Sequence, residues 1–353
     1  PVGVCLSGGL DSSAVTSVIL KDYNRSDLYA FSAVYGKDKH GDESRFINEY
    51  RDMPNLTYVY PTAETFIEEF DDFLDCHFEP VHTMSIYSQF KVMKEASKFV
   101  TVALDGQGAD EQLAGYHYFF SSYFRELLNQ FRWMRLINEV SQYYKAHNSL
   151  FALKYMGFYM MPNALKAYMG SKRNGSLNRD FFNSNNKSSE LSQQLYDPES
   201  LNESLLQHFE FKLEHNLKWN DLNSMYFSVE LREPFLDYRL VEKTMAGSAE
   251  QKINKGYTKW IFREAMKGVL PEVIRLRQDK VGFDNPSGEW LKSLPMRKVI
   301  TETLNSDVLK TSGFLNMEEC KKRYELHLSG KLNISNEIWK WINLDYFLKR
   351  FNA

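Results

Sequence analysis

Cysteine is scarce in this chain, and the shortage excludes two classes of protein at once. The three that are present, Cys5, Cys76 and Cys320, lie far apart and form no C-x-x-C pair, so neither a disulfide frame nor a cysteine zinc site is expected. Such usage suits free thiols in a reducing compartment, and a cytoplasmic location is the expectation. Positive charge is also lacking: 43 Lys and Arg stand against 46 Asp and Glu, a net charge of −3. That balance gives no polycation to hold a nucleic-acid backbone. No uninterrupted apolar run reaches the length of a membrane span, so no membrane partner is expected. No internal repeat is present, and the eight histidines lack metal-ligand spacing. His208 and His215, seven apart among Glu and Lys, read as a solvated helix face.

What is there begins at the first residues. The apolar run Val2-Gly3-Val4-Cys5-Leu6 is followed by Ser7-Gly8-Gly9-Leu10-Asp11-Ser12-Ser13, and then by an apolar segment with helical spacing, 13–22. A strand, a glycine-rich turn and a helix N-terminus in that order make an anion site. Gly8 and Gly9 let the backbone come close to a ligand, and the first helical N–H groups have no partner within the helix. Ser7, Ser12 and Ser13 add hydroxyl donors. Asp11 would repel a phosphate unless a cation lay between them, which points to magnesium-bound pyrophosphate. A tight turn with a serine N-cap is the plainer alternative, but the whole pattern is much rarer than a pair of glycines. It resembles the loop of the ATP pyrophosphatases, which split ATP between its α- and β-phosphates. It is not a Walker loop, because no Gly-Lys-Ser/Thr follows.

Further strands are expected at 28–34, 56–60 and 100–104, separated by helices near 13–22, 43–50, 63–74 and 86–98. Short β-rich runs alternating with helices predict an α/β fold: a parallel sheet with helices on both faces, binding its ligand beyond the carboxyl ends of the strands. From Tyr116 the pattern turns helical. The aromatic stretch 116–168, with Phe119, Phe120, Tyr123, Phe124, Phe131, Trp133, Tyr143 and Tyr144, reads as helical core rather than as a base-stacking surface. The Ser- and Asn-rich segment 171–204 reads as a surface excursion, and 336–351 as an amphipathic helix. One domain over 1–353 is expected, with a nucleotide-binding sheet core over 1–115 and a mainly helical part over 116–353. Pro1 directly precedes the first strand, so the chain reads as a fragment that has lost something N-terminal.

The fourth strand runs into Asp105-Gly106-Gln107-Gly108-Ala109-Asp110-Glu111. Glycines at a strand's carboxyl end again allow close backbone approach, and Asp110 is placed in the same crevice as Asp11. Two carboxylates from neighbouring loops, phosphate oxygens and water would complete an octahedral magnesium site. Here the chain resembles the synthetase domain of the glutamine-dependent asparagine synthetases (B type), with the β-lactam synthetases as relatives. Three later segments carry the same resemblance: Glu230-Leu231-Arg232-Glu233-Pro234-Phe235-Leu236-Asp237, the lysine-bearing Lys255–Glu264, and Arg277-Gln278-Asp279-Lys280-Val281-Gly282-Phe283.

The resemblance implies ATP and Mg2+ as cofactors and Lys259, one position into a helix running to about Lys267, as the group that meets the phosphates and the charge developing at the α-phosphorus. It implies adenine and ribose contacts at Cys5, Leu6, Ala33, Asp105 and Gly106. Lys280 and Lys255 are weaker candidates for the pyrophosphate. Arg232 and Asp237 are left between site and structure, pairing with each other or with helix ends. Gln107 stands where bacterial asparagine synthetases carry Glu, and an amide cannot take a proton; the general base would then lie elsewhere, with Glu111 or Glu79 as candidates. The implied partners are an aspartate-like acid, ammonia, an N-terminal glutaminase domain on the full-length chain, and a second copy in a possible homodimer. Amidation of a sugar acid or a peptide, or ring closure within one molecule, is the alternative.

Overall fold

The computed structural model describes residues 1–162, 165–166, 175–185, 198–279 and 284–351. Five strands form one all-parallel sheet: β1 Val2–Cys5, β2 Tyr29–Ala33, β3 Leu56–Val59, β4 Val102–Leu104 and β5 Glu230–Arg232. Their spatial order is β3-β2-β1-β4-β5, with Gly3 beside both Tyr29 and Ala103. The order therefore runs one way from β1 to β3 and the other way from β4 to β5. The reversal lies between β1 and β4, where the carboxyl ends of the strands open a crevice.

Alternation along the strands supplies both faces. Val4, Leu6 and Ala30 pack with Val15, Phe46, Ile47 and Tyr50 on one side. Cys5, Phe31 and Ala103 pack with Val92, Met93 and Ala96 of the helix Ile86–Ala96 on the other. Burying both faces requires continuous apolar strands, which is why β1, β2 and β4 stand out in the sequence. The expected helices on both faces are present. The stretch expected as one helix over 63–74 is two, Ala63–Glu68 and Phe70–His77.

The fifth strand was not expected from the apolar pattern. It is three residues long, its Glu230 and Arg232 side chains are exposed and ion-paired with each other, and it forms one edge of the sheet. Arg232 therefore pairs with Glu230 rather than with Asp237. Asp237 instead caps the helix Tyr238–Met245 and holds Arg239.

Two helical cores flank the sheet. One gathers Phe66, Phe73, Tyr87 and Phe90 around Trp339 and Trp341 of the C-terminal helix Ser335–Phe351. The other holds Phe119, Phe120, Tyr123, Phe124 and Tyr143 with Leu201 and Leu205. The aromatic stretch is thus core in most of its length, but Phe131, Trp133 and Tyr144 lie exposed. Of the expected surface excursion 171–204, residues 171–174 and 186–197 lie outside the described residues. Its described parts are anchored. Leu177 bridges to Leu315, Ser176 is buried and bonds Glu337, and Ser200 caps a helix whose Leu201 and Ser204 are fully buried. His208 is not on a solvated face: it is buried against Tyr118 and Phe119, its Nδ1 beside the Ser204 carbonyl, while exposed His215 belongs to the next helix. All three cysteines are buried free thiols.

Candidate active site

The turn after β1 is pinned before it reaches the crevice. The Leu6 N–H donates to the Phe31 carbonyl at 2.9 Å, and Ser32 Oγ donates to the Leu6 carbonyl at 2.6 Å. The helix then starts earlier than its apolar pattern suggests, at Leu10 rather than 13, with Gly9 as N-cap. Asp11 and Ser12 consequently sit in its first turn. Ser7 and Ser12 close the turn through their hydroxyls at 2.9 Å, and the Gly9 N–H donates to Ser7 Oγ.

The turn after β4 meets it directly. A Cβ on Gly106 would lie 2.9 Å from Asp11 Cβ and 3.0 Å from the Ser12 nitrogen, so only glycine lets the two loops touch. The short helix Ala109–Leu113 follows, with Asp110 in its first turn. Lys259 completes the group from a third direction. It immediately precedes the helix Trp260–Ala265 instead of lying within it, and it holds a left-handed backbone with φ +54°. Its own N–H, donated to the Leu113 carbonyl, ties that conformation to the Asp110 helix.

These three side chains converge. Lys259 Nζ lies 2.6 Å from both carboxylate oxygens of Asp11 and 2.6 Å from Asp110 Oδ1. The lysine is only 3 % exposed. Burial alone would lower its pKa, but Asp11 and Asp110 outweigh that and hold it above its ordinary value. Gly115 passes so close that a Cβ there would fall 1.6 Å from Asp110 Oδ1 and 2.4 Å from Lys259 Cε.

A cavity of about 510 Å3 opens over this point. Ser7, Gly9, Asp11, Ser12, Asp105, Gly106, Gln107, Asp110 and Lys259 line it, as do Arg263, Arg277 and Glu43. A small recess of about 30 Å3 adjoins it through shared Ser7 and Glu43, walled by Cys5, Leu6, Phe31 and Ala33. Most of the expected site residues are therefore brought to one place. Gly8 shapes the turn and Ser13 is fully buried, and neither lines the cavity. Glu111 does not line it either: it is buried on the helical side, where the Tyr116 hydroxyl donates to it at 2.8 Å. Glu79 pairs with Lys218 away from the cavity. Lys255 has its ammonium over the Trp260 ring, also outside the cavity lining. Lys280 lies outside the described residues.

Several groups at the site escaped sequence reasoning. Arg277 is buried with its guanidinium 3.8 Å above the Phe46 ring, donating to the Gly8 carbonyl and pairing with Glu43 at 2.7 Å. Its place in the Arg277–Phe283 segment was the available signal. Beneath Gln107 lies a pair of acids. The Gln107 N–H donates to Glu233 Oε2, and Asn220 Nδ2 reaches both Asp105 Oδ2, at 3.2 Å, and Glu233 Oε1, at 3.4 Å. Burial, with Asp11 nearby, lifts the Asp105 carboxyl to about 6. Burial and the neighbouring Asp105 lift Glu233 to about 8.

The arrangement joins a helix N-terminus, a buried ammonium and two convergent carboxylates around one cavity, which suits a polyphosphate bound with a cation. A sequence model of the asparagine synthase family matches residues 1–349. The chain is 26 % identical to asparagine synthetase (glutamine-hydrolyzing) 1 of Bacillus subtilis (strain 168), over 96 % of this chain and 54 % of that protein. It is 24 % identical to a putative asparagine synthetase (glutamine-hydrolyzing) of Mycobacterium tuberculosis (strain ATCC 25618 / H37Rv), over 96 % and 53 %. A 36 % match to putative asparagine synthetase (glutamine-hydrolyzing) 2 of Methanocaldococcus jannaschii (strain ATCC 43067 / DSM 2661 / JAL-1 / JCM 10045 / NBRC 100440) covers 33 % of this chain and 22 % of that protein. The chain spans about half the length of the two relatives that it matches from end to end.

Proposed function

The chain belongs to the asparagine synthase family, and on that premise we propose that it forms an amide at the expense of ATP. A carboxylate oxygen of the acceptor attacks the α-phosphorus, the bond to the β-phosphate oxygen breaks, and pyrophosphate leaves. Ammonia then attacks the acyl carbon, a proton leaves its nitrogen, and the bond to AMP breaks. The observation that carries this reading is the meeting of Asp11, Asp110 and Lys259 at the reversal of strand order.

Each residue has a physical task. The β1 turn and first helical turn present a helix N-terminus to the cavity, the end of a helix that suits phosphate oxygens. Lys259, buried and charged, stabilises the negative charge that grows as pyrophosphate departs. By the resemblance the base of the nucleotide lies toward Cys5, Leu6 and Ala33, which wall the small recess beside the main cavity. Asp11 and Asp110 would hold a magnesium ion, since both reach the same cationic nitrogen and offer the hard oxygen donors this ion takes. When bound, the ion neutralises phosphate charge. Among the described residues no cluster of three or more metal-ligating side chains exists, so phosphate oxygens and water would supply the other ligands. Gln107 cannot accept the proton lost from the attacking nitrogen. Asp105, on the cavity wall and shifted toward neutrality, takes that task in place of Glu111 or Glu79.

The names of the relatives bring L-aspartate as acceptor and a glutaminase as the source of ammonia. Gln107 favours a second reading, in which the same chemistry acts on a different carboxylic acid. Incubation with Mg-ATP, ammonium and a panel of carboxylic acids tests both. Release of AMP and pyrophosphate that depends on an acid supports the reaction, and the acid that drives it identifies the acceptor. ATP binding with no turnover for any acid would overturn it.

A further inference from the structure

Lys259 keeps its place through an uncommon backbone. Lys255, Gly256 and Lys259 have φ of +52°, +75° and +54°. A lysine holds that conformation only where its surroundings enforce it. Lys255 and Gly256 form a tight turn: the Tyr257 N–H donates to the Asn254 carbonyl at 2.8 Å, and the Asn254 N–H to the Tyr257 carbonyl at 3.1 Å. Beyond the turn, Arg263 Nε donates to the Thr258 carbonyl at 2.7 Å and the Lys259 N–H to the Leu113 carbonyl at 3.1 Å. Within it, the Gly256 carbonyl accepts from His147 Nε2 at 2.9 Å.

The His147 bond differs from the others in its origin. Leu113 closes the Asp110 helix and Arg263 lies one turn beyond Lys259, so both belong to the site itself. His147 is the last residue of a separate helix, Trp133–His147, and does not line the cavity. That helix meets the turn without a gap: a Cβ on Gly256 would lie 2.8 Å from the Gln142 carbonyl oxygen and 3.0 Å from Ala146 Cβ. Glu139, buried two turns earlier on the same helix, has the Lys255 backbone N–H beside it. The His147 ring is packed in turn, with centroids 4.7 Å from Tyr143, 5.7 Å from Phe120 and 4.6 Å from His117, which lies edge-on and lines the cavity. Burial holds its pKa below the ordinary value, so the ring is neutral at pH 7. A carbonyl can only accept, which places the remaining proton on Nε2.

We propose that His147 is a positioning residue for Lys259: its Nε2–H on the Gly256 carbonyl fixes the turn three residues ahead of the lysine, and with it the direction in which the ammonium meets the phosphates. The proposal rests on the adenylation reading above and adds a residue outside the cavity lining. The backbone stays anchored to the Trp133–His147 helix while the side chain passes from the carboxylates to a phosphate oxygen.

The test compares His147→Phe, which keeps a packed ring but loses the donor, with His147→Gln, which keeps an N–H, in acid-dependent pyrophosphate release. His147→Phe is expected to lower kcat by about tenfold to a hundredfold, the scale of a misplacement near 1 Å, while the KM for ATP holds within about twofold. His147→Gln is expected to recover most of that loss. In a Lys259→Met background, His147→Phe should lower kcat no further, because it acts through the lysine, whereas a general structural defect would add its full effect. Full kcat in His147→Phe, no recovery in His147→Gln, or additive losses with Lys259→Met would each overturn the proposal. If His147→Phe does not fold, Gly256→Ala, whose methyl group lifts the same turn off the helix, is read in its place: the same fall in kcat upholds the proposal and full kcat overturns it. If the wild type turns over no acid, the adenylation reading fails on its own. Acetylation of Lys259 by acetic anhydride, followed by peptide mapping, then decides the brace. A rate about tenfold above the wild type in His147→Phe, with His147→Gln near the wild type, upholds it, and equal rates in all three overturn it.

Discussion

Replacing Lys259 by Met removes a cation that both site carboxylates share. Its Nζ lies 2.6 Å from Asp11 and from Asp110, and the side chain is buried. At an effective dielectric near 20, one such contact is worth about 6 kcal/mol of attraction before desolvation is counted. Breaking a buried pair by removing one partner costs roughly 3–5 kcal/mol net, because the charge left behind is uncompensated. For a chain of this length, that loss lowers the melting temperature by about 4–7 °C. The missing charge also weakens transition-state stabilisation, and the expected loss in kcat is about 10²–10³. Acid-dependent pyrophosphate release measures the second effect and thermal unfolding the first. Millimolar Mg2+ should raise the melting temperature of the variant more than that of the wild type, because the ion can take the place of the lost ammonium between the carboxylates. A variant that melts with the wild type, or keeps more than about a tenth of kcat, refutes the argument.

Asp110→Asn should lower turnover by about 10²–10³ while leaving the fold intact by circular dichroism; normal turnover would remove Asp110 from the site. Gly115→Ala places a methyl group 1.6 Å from Asp110 Oδ1 and must push Asp110 and Lys259 apart, so kcat should fall about a hundredfold, as for a displacement near 1 Å. Steady-state kinetics of that variant check it. Asp105 and Glu233 have folded pKa values raised to about 6 and about 8, so the folded chain holds more protons than the unfolded one between their ordinary values and these. Their contribution is complete below about pH 4 and is lost as pH rises through 6 to 8. Denaturant titrations of Glu233→Gln should show a gain of at least ~1 kcal/mol at pH 8.5 over the wild type and a shallower fall between pH 5 and 8. An unchanged slope would refute the assignment.

Much of this was legible because buried parallel strands must be apolar along their whole length. β1 and β4 satisfy that rule, and β2 does so except at Ser32, while the glycine-rich turn between β1 and its helix marks the proposed anion site without any tertiary information. The edge strand β5 carries exposed Glu230 and Arg232, so no apolar run announces it, and only its resemblance to a family segment drew notice. Distance in the chain hid more. Asp105, Asn220 and Glu233 form one buried group only because β5 lies against β4, with the Asp105 N–H on the Arg232 carbonyl. Lys259 was legible as a residue but not as a geometry, since nothing local predicts a left-handed lysine; its conformation is held by Leu113. Glu111 illustrates the converse. It directly follows Asp110, yet in a helix adjacent residues diverge by about 100°, and Glu111 turns into the helical core.

On the proposed reaction a nucleotide's phosphates would lie where Asp11, Asp110 and Lys259 meet. A crystal structure of the chain with Mg2+ and α,β-methylene-ATP tests it most directly. Phosphates are expected against Ser7–Ser12, an ion on Asp11 and Asp110, and Lys259 turned from carboxylate to phosphate oxygen. A nucleotide bound elsewhere, with Lys259 still closed on both aspartates, would contradict it.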